Sequence, residues 1–208
     1  MNIYAEADSA IRTMNRKNLK AFNLLKLAKW DEISIIRAVS AAYEESARMA
    51  KRKYQEIAQG ACLTALKEAG VSEAIASGMA MDEITTDWIL DMLEEVDQVT
   101  LYAFLPEMER KKQRLIEALA AAQNRNAEID KALRYWAVQV GQYADNSVYR
   151  ARLDAFRITG IERVRWVTQK DERVCGDCDS LDEQIFQIDS VPPPQHIHCR
   201  CFIVPVLD

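Results

Sequence analysis

Histidine is almost missing from this chain: His196 and His198 are the only two in 208 residues. A metal enzyme that draws three histidines onto its ion is therefore excluded. Glycine and proline are scarce as well, six and five residues, and three of the prolines are consecutive (Pro192, Pro193, Pro194). No glycine-rich phosphate loop occurs, and no Ser–His–Asp arrangement can be assembled. Strong charge of one sign is missing too. A net charge of −5 and a pI near 5.3 are unlike a protein that binds nucleic acid over its whole surface, so any such contact is local. No apolar run approaches the ~20 residues that cross a bilayer. The opening MNIYAEADSA has neither the basic nor the apolar region of a signal peptide. The expectation is a protein that matures in a reducing cytoplasm, where thiols stay free unless a metal or a redox cycle claims them.

With so few breakers, residues up to about 158 read as helix. Asp31 is a good N-cap for a segment carrying Ile33, Ile36, Val39, Tyr43, Ala47 and Ala50 at helical spacing. Gly60 marks a candidate break and Gly70 a C-cap. The small-residue stretch AGVSEAIASGMAMDEITTDW predicts a connection with at most a short helix. Thr85 or Thr86 then opens a helix predicted to run through Met92, Val96, Val99 and Leu101. Pro106 predicts a break or kink near Leu105, with a helix resuming from Glu107 through Met108, Leu115, Leu119 and Ala122. After the polar AAQNRNAEID, a further helix carries Ile129, Leu133, Trp136, Val140 and Tyr143 toward Phe156, and Gly160 ends it. Trp30, Trp88 and Trp136 read as core or interface anchors, and Cys62 as a small buried hydrophobe. The grammar then changes: VRWVTQ, QIFQI and CFIVPV have the content of short strands. The fold class predicted is mostly α, with a helical arm or bundle over residues 1–158 and a small α+β, zinc-binding-type module over 159–208.

That module holds both histidines and four of the five cysteines. Cys175 and Cys178 form a C-x-x-C pair, with Gly176 letting the loop turn back. His196, Cys199 and Cys201 follow as H-x-x-C-x-C, with Cys199 and Cys201 on one face of a predicted strand and Arg200 on the other. Such knuckles present thiolates to one zinc ion. A redox pair is a second reading, disfavoured because Asp177 and Asp179 raise the thiol pKa. A disulfide and a metal-free thiol core are the others. A module this short, with three prolines in one loop, buries little core alone, so metal binding can contribute folding energy. Asp171 and Arg173 read as turn and thiolate-orienting residues.

The pattern W-x-T…D-E-R-V-C-x-x-C-x-x-L-D…F…P-P-x-H-x-x-C-R-C resembles the C-terminal domain of the phage Mu F-like minor head proteins, also called head morphogenesis proteins. It runs through Trp166, Thr168, Asp171, Arg173, Cys175, Cys178, Leu181, Asp182, Phe186, Pro193, Pro194, His196, Cys199, Arg200 and Cys201. The upstream YRARLDAFRITGI is similar to the family's lead-in helix. One departure is Glu183, where the family often has glycine. The resemblance implies His196 rather than the variable His198 as a zinc ligand beside the cysteines. It also implies a structural, non-enzymatic virion component inside the capsid near the portal, acting in procapsid assembly and a candidate for packaging or ejection. The expected partners are the portal protein, with the major capsid or scaffolding protein next, and no membrane. Residues 1–158 would be the portal-binding arm.

One stretch of that arm is basic. Arg12, Arg16, Lys17, Lys20, Lys26 and Lys29, interspersed with Ile11, Met14, Phe22 and Leu25, form a basic amphipathic helix. It is either a solvated face or a contact for an acidic portal surface or packaged DNA. Two rival functions remain: a metal-dependent nuclease or transferase with His198 as base, and a zinc-stabilised nucleic-acid adaptor. The first lacks further histidines to converge on the ion. The second lacks a basic finger, since the module carries Asp177, Asp179, Asp182, Glu183 and Asp189.

Overall fold

The computed structural model describes residues 4–170 and 174–207. Its helices in chain order are α1 (Ala5–Leu25), α2 (Glu32–Glu68), α3 (Glu73–Glu83), α4 (Thr86–Glu94), α5 (Phe104–Ala121), α6 (Arg125–Ile158) and the short α7 (Gly176–Leu181). Strands β1 (Arg163–Val167), β2 (Ile185–Gln187) and β3 (Phe202–Pro205) form one antiparallel sheet in the order β2-β1-β3. The mostly helical class with a small C-terminal α+β region is thus what the chain adopts.

The spine is α2 against α6, with α1 and α5 packed on both. At 37 and 34 residues, these two helices are roughly 55 and 50 Å long. The first starts as its sequence predicts, with the Asp31 side chain accepting from the Ser34 amide; the second starts at Asn124, whose side chain accepts from the Ala127 amide. Both also end alike. Gly70 (φ +88°) and Gly160 (φ +72°) take the left-handed conformation. The following amide reaches back to a carbonyl in the last turn, Val71 to Leu66 and Ile161 to Phe156. The core is aromatic where the long helices meet. Tyr43 meets Trp136 edge-on at 5.5 Å, Phe104 meets Trp136 at 5.9 Å, and Phe104 lies 4.8 Å from Tyr143. Such pairs contribute about 0.5–1.5 kcal/mol each beyond the area they bury.

Several boundaries differ from expectation. Gly60 does not break α2. It sits where α1 crosses, and an added Cβ would lie 2.0 Å from a Glu6 carboxylate oxygen. The small-residue connection folds as α3, whose Ala76 and Ala80 are buried. Helix α4 stops at Glu94, short of Val99 and Leu101, because Asp97 accepts from the Val99 and Thr100 amides and turns the chain so that Val96 bridges Ala103. Pro106 neither breaks nor kinks α5. It lies in the first turn, where no amide hydrogen bond is lost, and the break falls at Ala103.

The sheet and the cysteine segment share the helices' core: Trp166, Cys178, Cys199, Cys201 and Ile203 belong to the same buried cluster as Trp136 and Phe156. Specific bonds tie them there. The fully buried Arg152 on α6 donates through Nε and Nη2 to the Ile203 carbonyl on β3 (3.1 and 2.7 Å) and pairs with Glu68 at the end of α2. Tyr149 donates to the Pro192 carbonyl at 2.7 Å, and Tyr4 to the Cys201 carbonyl at 2.9 Å. Cys62 is buried as predicted, and burial pushes its thiol up to about 12. Trp136 is fully buried; Trp30 and Trp88 are half-buried.

Candidate metal centre

Cys175 is the N-cap of α7, and its sulfur accepts from the Cys178 amide at 3.4 Å. The C-x-x-C pair therefore opens a helix and is not a turned-back loop, and Gly176 has no left-handed φ. On the other side the His196 carbonyl accepts from the Cys199 amide at 3.0 Å, a tight turn that returns Cys199 toward the first pair. Cys199 and Cys201 precede β3 and do not lie in it, yet both are buried while Arg200 between them is not. The alternation expected of a strand persists, because extended backbone alternates its side chains whether or not it is paired.

The candidate ligands converge in two groups. The ligand atoms of Cys175, Cys178 and His196 lie within 4.8 Å of one another, and so do those of Cys178, Cys199 and Cys201. Cys178 belongs to both. Its sulfur is 3.6 Å from that of Cys199, close to the ~3.8 Å edge of a tetrahedron of thiolates each ~2.3 Å from a zinc. His196 Nδ1 lies 3.0 Å from the Ile197 carbonyl, which leaves Nε2 for an ion. Soft sulfur donors with one imidazole, largely shielded from water, suit a closed structural site: these groups can hold a metal ion. The cluster's own electrostatics fit too. Burial pushes Cys178 up to about 12, and the hydrogen bond from the Cys201 thiol pulls Cys199 down to about 5. A bound cation would draw the protons from these thiols, since only the thiolate is a ligand.

The predicted supporting residues divide. Asp171 and Arg173 lie outside the described residues. Arg200 turns away from the sulfurs, ion-paired with Asp8 at 3.2 Å and stacked over the Tyr4 ring at 5.0 Å. It binds the start of α1 to the module. Other motif positions shape the frame. The Asp182 carboxylate accepts from the Thr168 amide at 2.8 Å, Trp166 is buried beside Tyr149, and Phe186 pairs with Val164 across β1 and β2. Glu183 has φ +62°. The turn where the resembled family often carries glycine keeps a left-handed conformation here, which costs a non-glycine residue about 1–2 kcal/mol.

His198 has a seat that its sequence context did not announce. It too has φ +60°. Its amide donates to the Gln142 side chain at 2.7 Å, and its Nδ1 faces Asp145 Oδ2 at 3.4 Å. Its ring covers Gly141 so closely that a Cβ there would lie 2.2 Å from Cε1. Asp145 is nearly buried, and burial raises its pKa against the pull of His198. His198 and His196 line a cavity of about 200 Å³ between α6 and the cysteine segment. In sequence Gln142 and Asp145 read as a solvated face, as polar residues at helical spacing do; Gly141 in mid-helix, one residue before Gln142 and four before Asp145, is the available signal.

Of the predicted basic contacts, Arg12, Arg16, Lys17, Lys20 and Lys29 are exposed. Lys26 is half-buried and paired with Asp130 at 2.6 Å.

A helical protein that gathers cysteine and histidine donors against its long helices carries groups that could hold a metal ion. A family model described as phage Mu protein F like protein matches residues 68–204, and the chain belongs to that family. Membership points to a phage head morphogenesis protein and to association with the virion. No curated protein and no solved structure gives a significant match. Among the described residues, no helix is long and apolar enough to cross a membrane.

Proposed function

We propose that this chain is a minor head protein acting at the portal vertex during procapsid assembly, in a structural role, with a zinc ion fastening residues 159–208. The observation that carries this reading lies inside the family-matched segment: the ligand atoms of Cys175, Cys178 and His196 converge, and the Cys178 sulfur also meets that of Cys199 at 3.6 Å. In this reading those residues hold the zinc, and the Cys201 thiol donates to the Cys199 sulfur beside the ion. Zinc would supply folding energy and not reactivity, since the donors suffice to close the coordination shell. The helices of residues 1–158 would then be the arm that meets the portal protein, with packaged DNA, the major capsid protein and the scaffolding protein as further contacts.

The reading is tested by co-expressing the chain with the portal protein of the same phage genome and purifying through a tag on the portal. Co-elution of a defined complex containing zinc is the expected result. A portal that assembles normally and never retains the chain would defeat the portal assignment. An infectious-particle yield that is unaffected by deleting the gene would defeat the head role.

A further inference from the structure

The outer side of the α1–α2 corner combines features that ordinary solvated surfaces keep apart. Leu19, Leu24, Leu27, Ile33 and Ile36 are all exposed, Leu27 most of all at 82%. They lie between residues 19 and 36 on the two sides of one turn. The same exposed stretch of chain carries Arg12, Arg16, Lys17, Lys20 and Lys29, which have no ion-pair partner among the described residues. Arg12, Arg16, Lys20 and Leu24 follow at intervals of four, so they form one stripe along α1. The opposite stripe, with Met14, Phe22 and Leu25, is buried in the core. No acidic residue occurs between Asp8 and Asp31, in a chain whose net charge is −5.

The corner is also stiff. Asp31 caps α2, Lys26 is tied to Asp130 on α6, and Arg125 lies over the Trp30 ring at 5.2 Å. A surface held in place by several elements loses little freedom on binding. Clustered exposed aliphatic side chains mark interaction sites, and unpaired cations around them select an acidic partner and speed its approach.

We infer that this corner is a protein-docking face for an acidic surface with an apolar centre, and, resting on the function proposed above, that the surface belongs to the portal protein. Nucleic acid fits less well. A duplex offers phosphates to the cations but nothing apolar to cover the exposed leucines and isoleucines, and the bases of a single strand stack on aromatic rings, whereas the centre here is aliphatic and Trp30 is engaged by Arg125. A second copy of the chain fits less well too, because a symmetric pairing would set like charges against each other.

The test uses the full chain and immobilised portal protein from the same genome, with affinity read by biolayer interferometry. The variants are Leu24→Ser with Leu27→Ser, and Arg16→Glu with Lys20→Glu. The control is Ile75→Ser with Met81→Ser, which removes two equally exposed aliphatic side chains on α3. Circular dichroism verifies that each variant is folded. Both corner variants should bind at least about tenfold more weakly and the control within about twofold, with wild-type association slowing as salt rises. Equal binding by wild type and corner variants would overturn the docking face while leaving the proposed function standing. No binding by the wild type would overturn both. Corner-dependent self-association, or corner-dependent retention of duplex DNA in place of the portal, would overturn the choice of occupant and so the inference.

Discussion

Arg152→Met removes a charged fork but keeps the length and much of the packing of the side chain. In the folded chain that guanidinium is fully buried and makes two bonds to the Ile203 carbonyl, at 3.1 and 2.7 Å, plus an ion pair with Glu68. It also lies 5.4 and 5.7 Å from the Phe156 and Phe202 ring centres. Loss of a charge-assisted bond costs about 1.5–3 kcal/mol, and an orphaned buried carbonyl about 1–3 more. The Glu68 side chain is 26% exposed, so water can reach it and its lost pairing adds little. The total is about 3–5 kcal/mol. At ~2–4 °C per kcal/mol for a chain of this size, the melting midpoint should fall by roughly 6–20 °C. Urea unfolding followed by circular dichroism measures it. Arg152→Lys should recover less than half, because an ammonium cannot fork onto a carbonyl and a carboxylate together. A loss below about 1 kcal/mol for Arg152→Met would refute the view that this residue joins α2, α6 and β3.

Other outcomes follow from single contacts. Gly141→Ala should destabilise by about 1–2 kcal/mol despite better helix propensity, since the new Cβ strikes the His198 ring. Gly78→Ala in α3, where nothing lies within 4 Å, should stabilise by about 0.5–1 kcal/mol, and equal effects in chemical denaturation would contradict the packing described. Glu107 is buried, and the opposing Arg110 and Tyr135 bonds outweigh burial and hold its carboxyl below the ordinary range. A depressed carboxyl stabilises above its unfolded pKa, so the wild-type advantage over Glu107→Gln should be full at pH 7. It should shrink as pH falls below ~4.3; melting scans at both ends showing a constant gap would exclude this. Cys175→Ser, Cys178→Ser and His196→Ala should each abolish metal retention by elemental analysis, whereas His198→Ala should keep the ion. Chelation of the wild type should leave most of the far-ultraviolet helical signal. Full metal content in Cys178→Ser would be the most damaging result, because that sulfur belongs to both donor groups.

Much of this protein was legible in the order of its residues, wherever one local interaction decides the outcome. Asp31 starts a helix, Gly70 and Gly160 end helices, and β-branched residues mark β1 and β3, because caps and left-handed turns act within four residues. The C-x-x-C and H-x-x-C-x-C runs announced their convergence by spacing alone. Where two distant elements meet, tertiary structure decided. Gly60 reads as a breaker until Glu6 occupies the space above it. Asp97 ends α4 through its own turn, against an apolar pattern that continues to Leu101. The seat of His198 is made by Gly141, Gln142 and Asp145, more than fifty residues earlier on α6. Nothing in the sequence singles out Arg152, and only β3 places a carbonyl against it. A charged side chain is polar in any sequence pattern, but its burial depends on whether a distant backbone group arrives to satisfy it, and only the folded chain brings that group there.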